Sequence, residues 1–100
     1  MVNYEKGDTI RFRITTKDFD GATITPTSGP TCKIFKATGE ELLTTLTVTS
    51  YGTGQYEGFY EIPSTITRYG DSTVLYAEWA WTYTSKNFIE RTSFSVITVS

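Results

Sequence analysis

Histidine is absent from this chain, and cysteine occurs once, at Cys32. Without an imidazole there is no Ser-His-Asp or Cys-His nucleophile system and no ligand of the commonest transition-metal type. One thiol can neither close an internal disulfide nor build a structural zinc site by itself. Long apolar runs are missing too: nothing approaches the roughly 20 residues that span a bilayer as a helix. The opening residues Met1 to Asp8 lack the apolar centre of a secretory signal. Basic residues are not in excess either, with 9 Lys and Arg against 11 Asp and Glu and a net charge of −2. That balance offers no footprint for nucleic acid and no polybasic patch for a membrane surface. No G-x-x-x-x-G-K-[S/T] loop occurs, and no G-x-G-x-x-G opens a helix. The expectation is a protein that is not an enzyme, holds no cofactor and no metal, binds no nucleic acid and inserts into no membrane.

What the chain does contain is aromatic and β-branched. The 100 residues are the length of one domain, 1–100, with a single core. The hydrophobic fraction of 38% is modest, but 15% of the chain is aromatic, and rings bury much area per residue. Threonine makes up about a fifth of the sequence, which suits a pleated, half-wet surface. No stretch carries a convincing helical apolar period, so an all-β fold is expected.

Alternation locates the strands. Ile10, Phe12 and Ile14 share one parity; Thr9, Arg11, Arg13 and Thr15 share the other. Lys17 to Gly21 reads as a turn on Asp20-Gly21. Pro26 and Gly29-Pro30 interrupt the following segment, where Ala22 to Thr25 is at most a short edge strand. Thr31 to Lys36 is a strand with Cys32 and Ile34 inward. Glu40 to Thr49 is another, with Leu42, Leu46 and Val48 on one parity and Leu43 against it. Ser50 to Gly54 turns the chain into Gln55 to Ile62, where Tyr56, Gly58, Tyr60 and Ile62 face one side. Ser64 to Gly70 is a connection. Asp71 to Tyr83 is the longest strand, with Leu75, Ala77, Trp79, Trp81 and Tyr83 in one apolar row. Thr84 to Asn87 turns it back into Phe88 to Val99, with Phe94 and Val96 inward. Six strands and a possible seventh, at this turn spacing, point to an antiparallel immunoglobulin-like β-sandwich of about seven strands.

Several residues have two readings. Cys32 sits in an alternating strand, where a buried thiol acts as a small hydrophobe. Asp18 and Asp20, with Asp71, could hold calcium, but the twelfth position of an EF-hand loop is Gly29, and turn geometry accounts for both Asp residues. Glu57 and Glu61 flank Phe59 on one strand face, as a solvated sheet surface does. Trp79, Trp81 and Tyr83 form either a sugar-stacking platform or core, and their parity with Leu75 favours core. On the opposite parity, Tyr76 and Ala80 join Phe59 in an exposed apolar patch if their strands share a sheet. Arg11 and Arg13 on the first wet face are either ordinary surface charge or contacts to an acidic partner. These five residues are the candidate interface. Ile97 and Val99 could offer an open edge to a neighbouring chain.

The turns also carry a resemblance. Gly7-Asp8-Thr9-Ile10 with Asp20-Gly21, Thr38-Gly39-Glu40, Gly54-Gln55-Tyr56, Tyr60-Glu61-Ile62-Pro63, Gly70, Leu75-Ala77-Trp79 and Phe94-Ser95-Val96 resemble the turn and core signals of macroglobulin-like and related immunoglobulin-like domains. The resemblance covers nearly the whole chain and speaks to fold more than function. Short stand-alone proteins of this type look like structural proteins of tailed phages, and longer arrays look like cell-surface proteins. A chain running from Met1 to a closing strand suits a complete small gene product. The resemblance therefore implies a non-catalytic virion protein, a capsid-decoration or head- or tail-attached module located in the virion. Its partners are other virion or surface subunits, with a homo-oligomer as a further option, and an unpaired Cys32 suits assembly in a reducing cytoplasm. The alternative is an extracellular adhesion or carbohydrate-binding module of a cell-surface protein.

Overall fold

Alternating sequences become strands here because one face of each can be dried while the other stays wet. The structure is a computed structural model describing residues 2–5, 7–63 and 72–97, with the side chains of 2, 3, 72 and 97 outside the description. Its strands are β1 (Val2–Glu5), β2 (Thr9–Thr15), β3 (Ser28–Lys36), β4 (Glu41–Leu46), β5 (Thr49–Gly52), β6 (Gln55–Glu61), β7 (Ser72–Tyr83) and β8 (Lys86–Ile97). They form two sheets, one in the order β1-β8-β7-β3-β4 and one in the order β2-β6-β5. The protein is all-β, with a single short 3-10 turn at Thr38–Glu40 among the described residues.

The inner faces of the two sheets share one core. Ile10, Tyr60 and Ile62 from the β2–β6 side cluster with Cys32, Ile34, Leu75, Ala77, Trp79, Trp81, Phe94 and Val96 from the other. Phe94 is the meeting point: its ring lies 5.5 Å from Phe12 and 6.5 Å from Tyr60 across the core, and 5.9 Å from Tyr4 on β1. Every residue expected inward on β2, β3, β6, β7 and β8 is buried or packed against this cluster, except Tyr83, which is half-buried at the strand's end.

The differences from expectation have local causes. Val2–Glu5 is a strand that the sequence did not announce; it pairs in parallel with β8 from Phe94 to Ile97. The expected strand Glu40–Thr49 is two strands in different sheets, because the chain crosses over at Thr47 and Val48. Within β4 the register shifts between Ile34↔Thr44 and Phe35↔Leu42, leaving Leu43 as the extra residue of a bulge. That one residue reverses the parity: Leu43 packs on the core and Leu42 faces out. β3 starts at Ser28, earlier than Thr31, because a register shift between Ser28 and Thr31 takes Gly29-Pro30 out of the regular ladder. Ala22–Thr25 is not a strand; Thr23 makes one isolated bridge to Lys17. The β7–β8 turn is tighter than expected. Tyr83 pairs with Lys86, and Thr84 and Ser85 both take positive φ (48° and 63°), the type I′ geometry that matches strand twist. The expected connection Ser64–Gly70, Asp71 and Val99 lie outside the described residues.

One polar knot fastens the narrower sheet to the loop above it. Thr16 is fully buried. Its hydroxyl lies 2.7 Å from the Ile24 carbonyl and 3.1 Å from the Gly54 carbonyl. Its amide donates to Gly54 O at 2.8 Å, and its carbonyl accepts from Ile24 N at 2.9 Å. The β2–β3 loop and the β5–β6 turn are thus held at a single side chain.

Candidate docking surfaces

On the outer face of the β2-β6-β5 sheet, register sets Arg11 opposite Phe59 and Arg13 opposite Glu57. The two arginines have different surroundings. Arg13 donates from Nε to Glu57 at 3.0 Å and lies over the Tyr51 ring at 4.4 Å. Such an exposed pair stabilises the sheet by about 1 kcal/mol or less. Arg11 makes no ion pair among the described residues, and beside it Phe59 leaves 55% of its surface in water. A large ring and an unpaired guanidinium side by side are the side-chain types that concentrate energy in protein interfaces.

Tyr76 and Ala80 lie on β7, in the other sheet. The structure does not bring them to Phe59, so the three-residue patch expected from a shared sheet does not form. On its own face Tyr76 is enclosed. Phe35 stacks on it at 5.1 Å, the Arg91 guanidinium lies 5.2 Å from its ring, and its hydroxyl donates to Glu40 at 3.4 Å. Arg91 is itself fixed by Glu78 at 2.7 Å. Loss of solvent, then the negative charge of Glu40, pushes the Tyr76 phenol up. The Glu78 hydrogen bond chiefly raises Arg91. Ala80 is half-buried and floors a shallow depression of about 290 Å³ beside Ile89 and Gly29.

Phe19, Leu42, Tyr51, Val74 and Ile89 are exposed and were not among the candidates, and two of them bear on strand register. Leu42, 50% exposed, follows from the Leu43 bulge, and two adjacent leucines of opposite parity were its only signal. Ile89, 59% exposed, faces out from β8 next to inward Phe88, and consecutive apolar residues of this kind mark a strand with two apolar sides.

The remaining candidates resolve into structural parts. Trp79 and Trp81 are buried, and Trp81 stacks on Phe88 at 5.6 Å, which places both indoles in the core. Asp18 Oδ1 accepts from the amides of Asp20 and Ala22, so its carboxylate shapes its own loop. Cys32 is wholly buried, and burial pushes its thiol up to about 12. The thiolate needed for nucleophilic or redox chemistry is thereby suppressed. No helix among the described residues is long and apolar enough to cross a membrane.

No family model matches this chain, and no curated protein matches it. Among solved structures it is similar to a DUF4785-family protein of Legionella pneumophila, with a TM-score of 0.62 and 13% identity. The likeness covers 98% of this chain and 26% of that one, so the chain spans about a quarter of that protein's length. At this identity the likeness concerns the fold alone.

Proposed function

We propose that this chain is an immunoglobulin-like β-sandwich that acts without catalysis, by docking on other protein subunits of a virion. The strand order supports the fold. β2, β6 and β5 take the places of the B, E and D strands, and β3, β7 and β8 those of C, F and G. β4 extends the C edge, and β1 lies parallel along the last strand. The observation that carries the docking role is the Arg11–Phe59 pair, exposed on the sheet's outer face and, among the described residues, without an ion pair for Arg11, beside an Arg13–Glu57–Tyr51 set that is satisfied. The virion setting rests on the resemblance of the turn and core motifs to small phage structural proteins. Repetition on a symmetric lattice would let one modest patch per copy suffice.

The test is co-purification. Particles from cells carrying this gene are banded on a density gradient and their proteins quantified by mass spectrometry. The chain should co-band with the major shell protein at fixed stoichiometry, and an Arg11→Glu/Phe59→Ser variant should stay soluble but leave the band. Absence of the wild-type chain from the band would overturn the virion reading.

A second reading is a cell-surface adhesion or carbohydrate-binding module within a longer chain. It draws on the fold's occurrence as about a quarter of the Legionella protein. The sugar-stacking form of it lacks its platform, since Trp79 and Trp81 are inside.

A further inference from the structure

Strand β8 is twelve residues long, and β7 pairs with all of it from Lys86 to Ile97. On its other edge β1 covers only Phe94 to Ile97. Among the described residues nothing pairs with Lys86–Ser93 on that side. The neighbouring loop reaches this row through Phe19, whose ring lies 4.7 Å from that of Phe88, and beside that contact a hollow of about 180 Å³ is lined by Phe88, Ile89 and Glu90 together with Thr15, Lys17 and Asp18. The row has no proline, no glycine and no register shift against β7, and its edge-guarding charges are Lys86, Glu90 and Arg91, which any pairing must accommodate.

The ladder fixes which backbone groups are free. Tyr83↔Lys86 closes the two-residue hairpin, and Thr82 turns its carbonyl the other way, to the Thr27 amide. Hydrogen-bonded pairs alternate along an antiparallel ladder. Lys86, Phe88, Glu90 and Thr92 therefore direct their backbone at β7, while Asn87, Ile89 and Arg91 direct theirs at the bare edge.

We propose that this edge pairs with the same edge of a second copy, antiparallel, about a two-fold axis at Ile89. In that register Ile89 meets Ile89 of the second copy, Asn87 meets Arg91, Phe88 meets Glu90 and Lys86 meets Thr92. Among the described residues, the amides and carbonyls of Asn87, Ile89 and Arg91 are the ones left to bond. No like charges oppose each other, and an apolar side chain that is 59% exposed is covered. An axis at Glu90 or Arg91 sets like charges face to face. An axis at Phe88 runs the second strand into the Thr84-Ser85 turn and forms fewer pairs. The edge thus favours a second copy, in one register, and the two β7–β8 hairpins become the centre of a continuous sheet. This surface is distinct from the Arg11–Phe59 face, so its success or failure leaves the docking proposal untouched.

The experiment is light scattering after size-exclusion chromatography on the full chain, from about 10 µM to about 1 mM. The wild type should move from monomer to dimer mass. Ile89→Lys and Ile89→Glu, which alter an exposed side chain and leave the β7 ladder intact, should each weaken dimerisation at least about tenfold. An equimolar mixture of the two should restore the dimer, because the axis brings Lys against Glu. Circular dichroism checks that both variants are folded. A wild type that stays monomeric, a dimer that survives Ile89→Lys, a mixture that stays monomeric, or a trimer or larger ring would each overturn the proposal.

Discussion

The two sheets each present an aromatic ring on their outer face, and they treat it differently. Phe59, on the middle strand of three, is 55% exposed; Tyr76, near the middle of five, is 8% exposed. Both residues sit at outward positions of alternating strands. What separates them is the company the register supplies. Tyr76 lies between Phe35 on β3 and Ser93 on β8, with Arg91 and Glu40 closing over it. Phe59 has Arg11 on one side, and on the other the β5 ladder stops at Glu57. Alternation decides which side a residue faces, but the number and size of cross-strand neighbours decide whether that side is dry. A wide sheet can bury a ring on its wet face, while a narrow one leaves it available to a partner.

The largest expected effect tests the centre of the wider sheet. The Cys32 thiol is raised from 9.0 to about 12 by burial. The unfolded chain therefore loses its thiol proton first as the pH rises. Stability from this group is complete below about pH 9 and is lost between there and about pH 12, with a slope of up to about 1.4 kcal/mol per pH unit. Urea unfolding of the wild type and of Cys32→Ala across that range isolates the term: the variant should show the shallower slope, whatever its stability at neutral pH. Parallel slopes would mean that the site is wetter than the structure has it.

The narrower sheet depends more on its polar knot. Gly54 holds φ +67°, and a Cβ there would meet Thr23 Cγ2 at 2.6 Å and the Ile24 carbonyl at 2.8 Å. That carbonyl is one of the two that Thr16 grips, so it has little freedom to withdraw. Gly54→Ala should cost about 3 kcal/mol in chemical denaturation, through both the left-handed backbone and the clash. A cost under about 1 kcal/mol would show that the β2–β3 loop yields easily and that the knot is not a fixed point.

Much of this was legible in the sequence, and the failures share a cause. The inward rows of β2, β3, β6, β7 and β8 follow from parity alone, because each faces one core. Parity fails where pairing is irregular. Leu43 is a bulge residue that no local pattern distinguishes from Leu42, and the crossover at Thr47-Val48 cuts a run of threonines and leucines that reads as one strand. It is silent about which strands are neighbours, and for that reason Phe59, Tyr76 and Ala80 were grouped although they lie in different sheets. β1 escaped notice because four residues of mixed character become a strand only when β8 offers its edge. The individual candidates Arg11 and Phe59 were readable as exposed; that they stand opposite each other was not.

Truncating the two rings turns the comparison into a measurement. Tyr76→Ala removes a nearly buried ring, its stacking on Phe35 and the contact that orders Arg91, and should cost about 2 kcal/mol. Phe59→Ala removes a ring already half in water and should change stability by less than about 0.5 kcal/mol. If the narrow face is kept for a partner, the ranking must invert when binding is read. Phe59→Ala should then release the chain from its particles, and Tyr76→Ala, at temperatures where it remains folded, should not. Equal losses of stability would mean that exposure is a poor guide to what each ring contributes. Equal losses of binding would move the contact from one face to the whole module. A ring that costs nothing to remove from the monomer and much to remove from the assembly has its energetic role outside its own chain, and that outcome would assign the outer face of the three-stranded sheet to the partner.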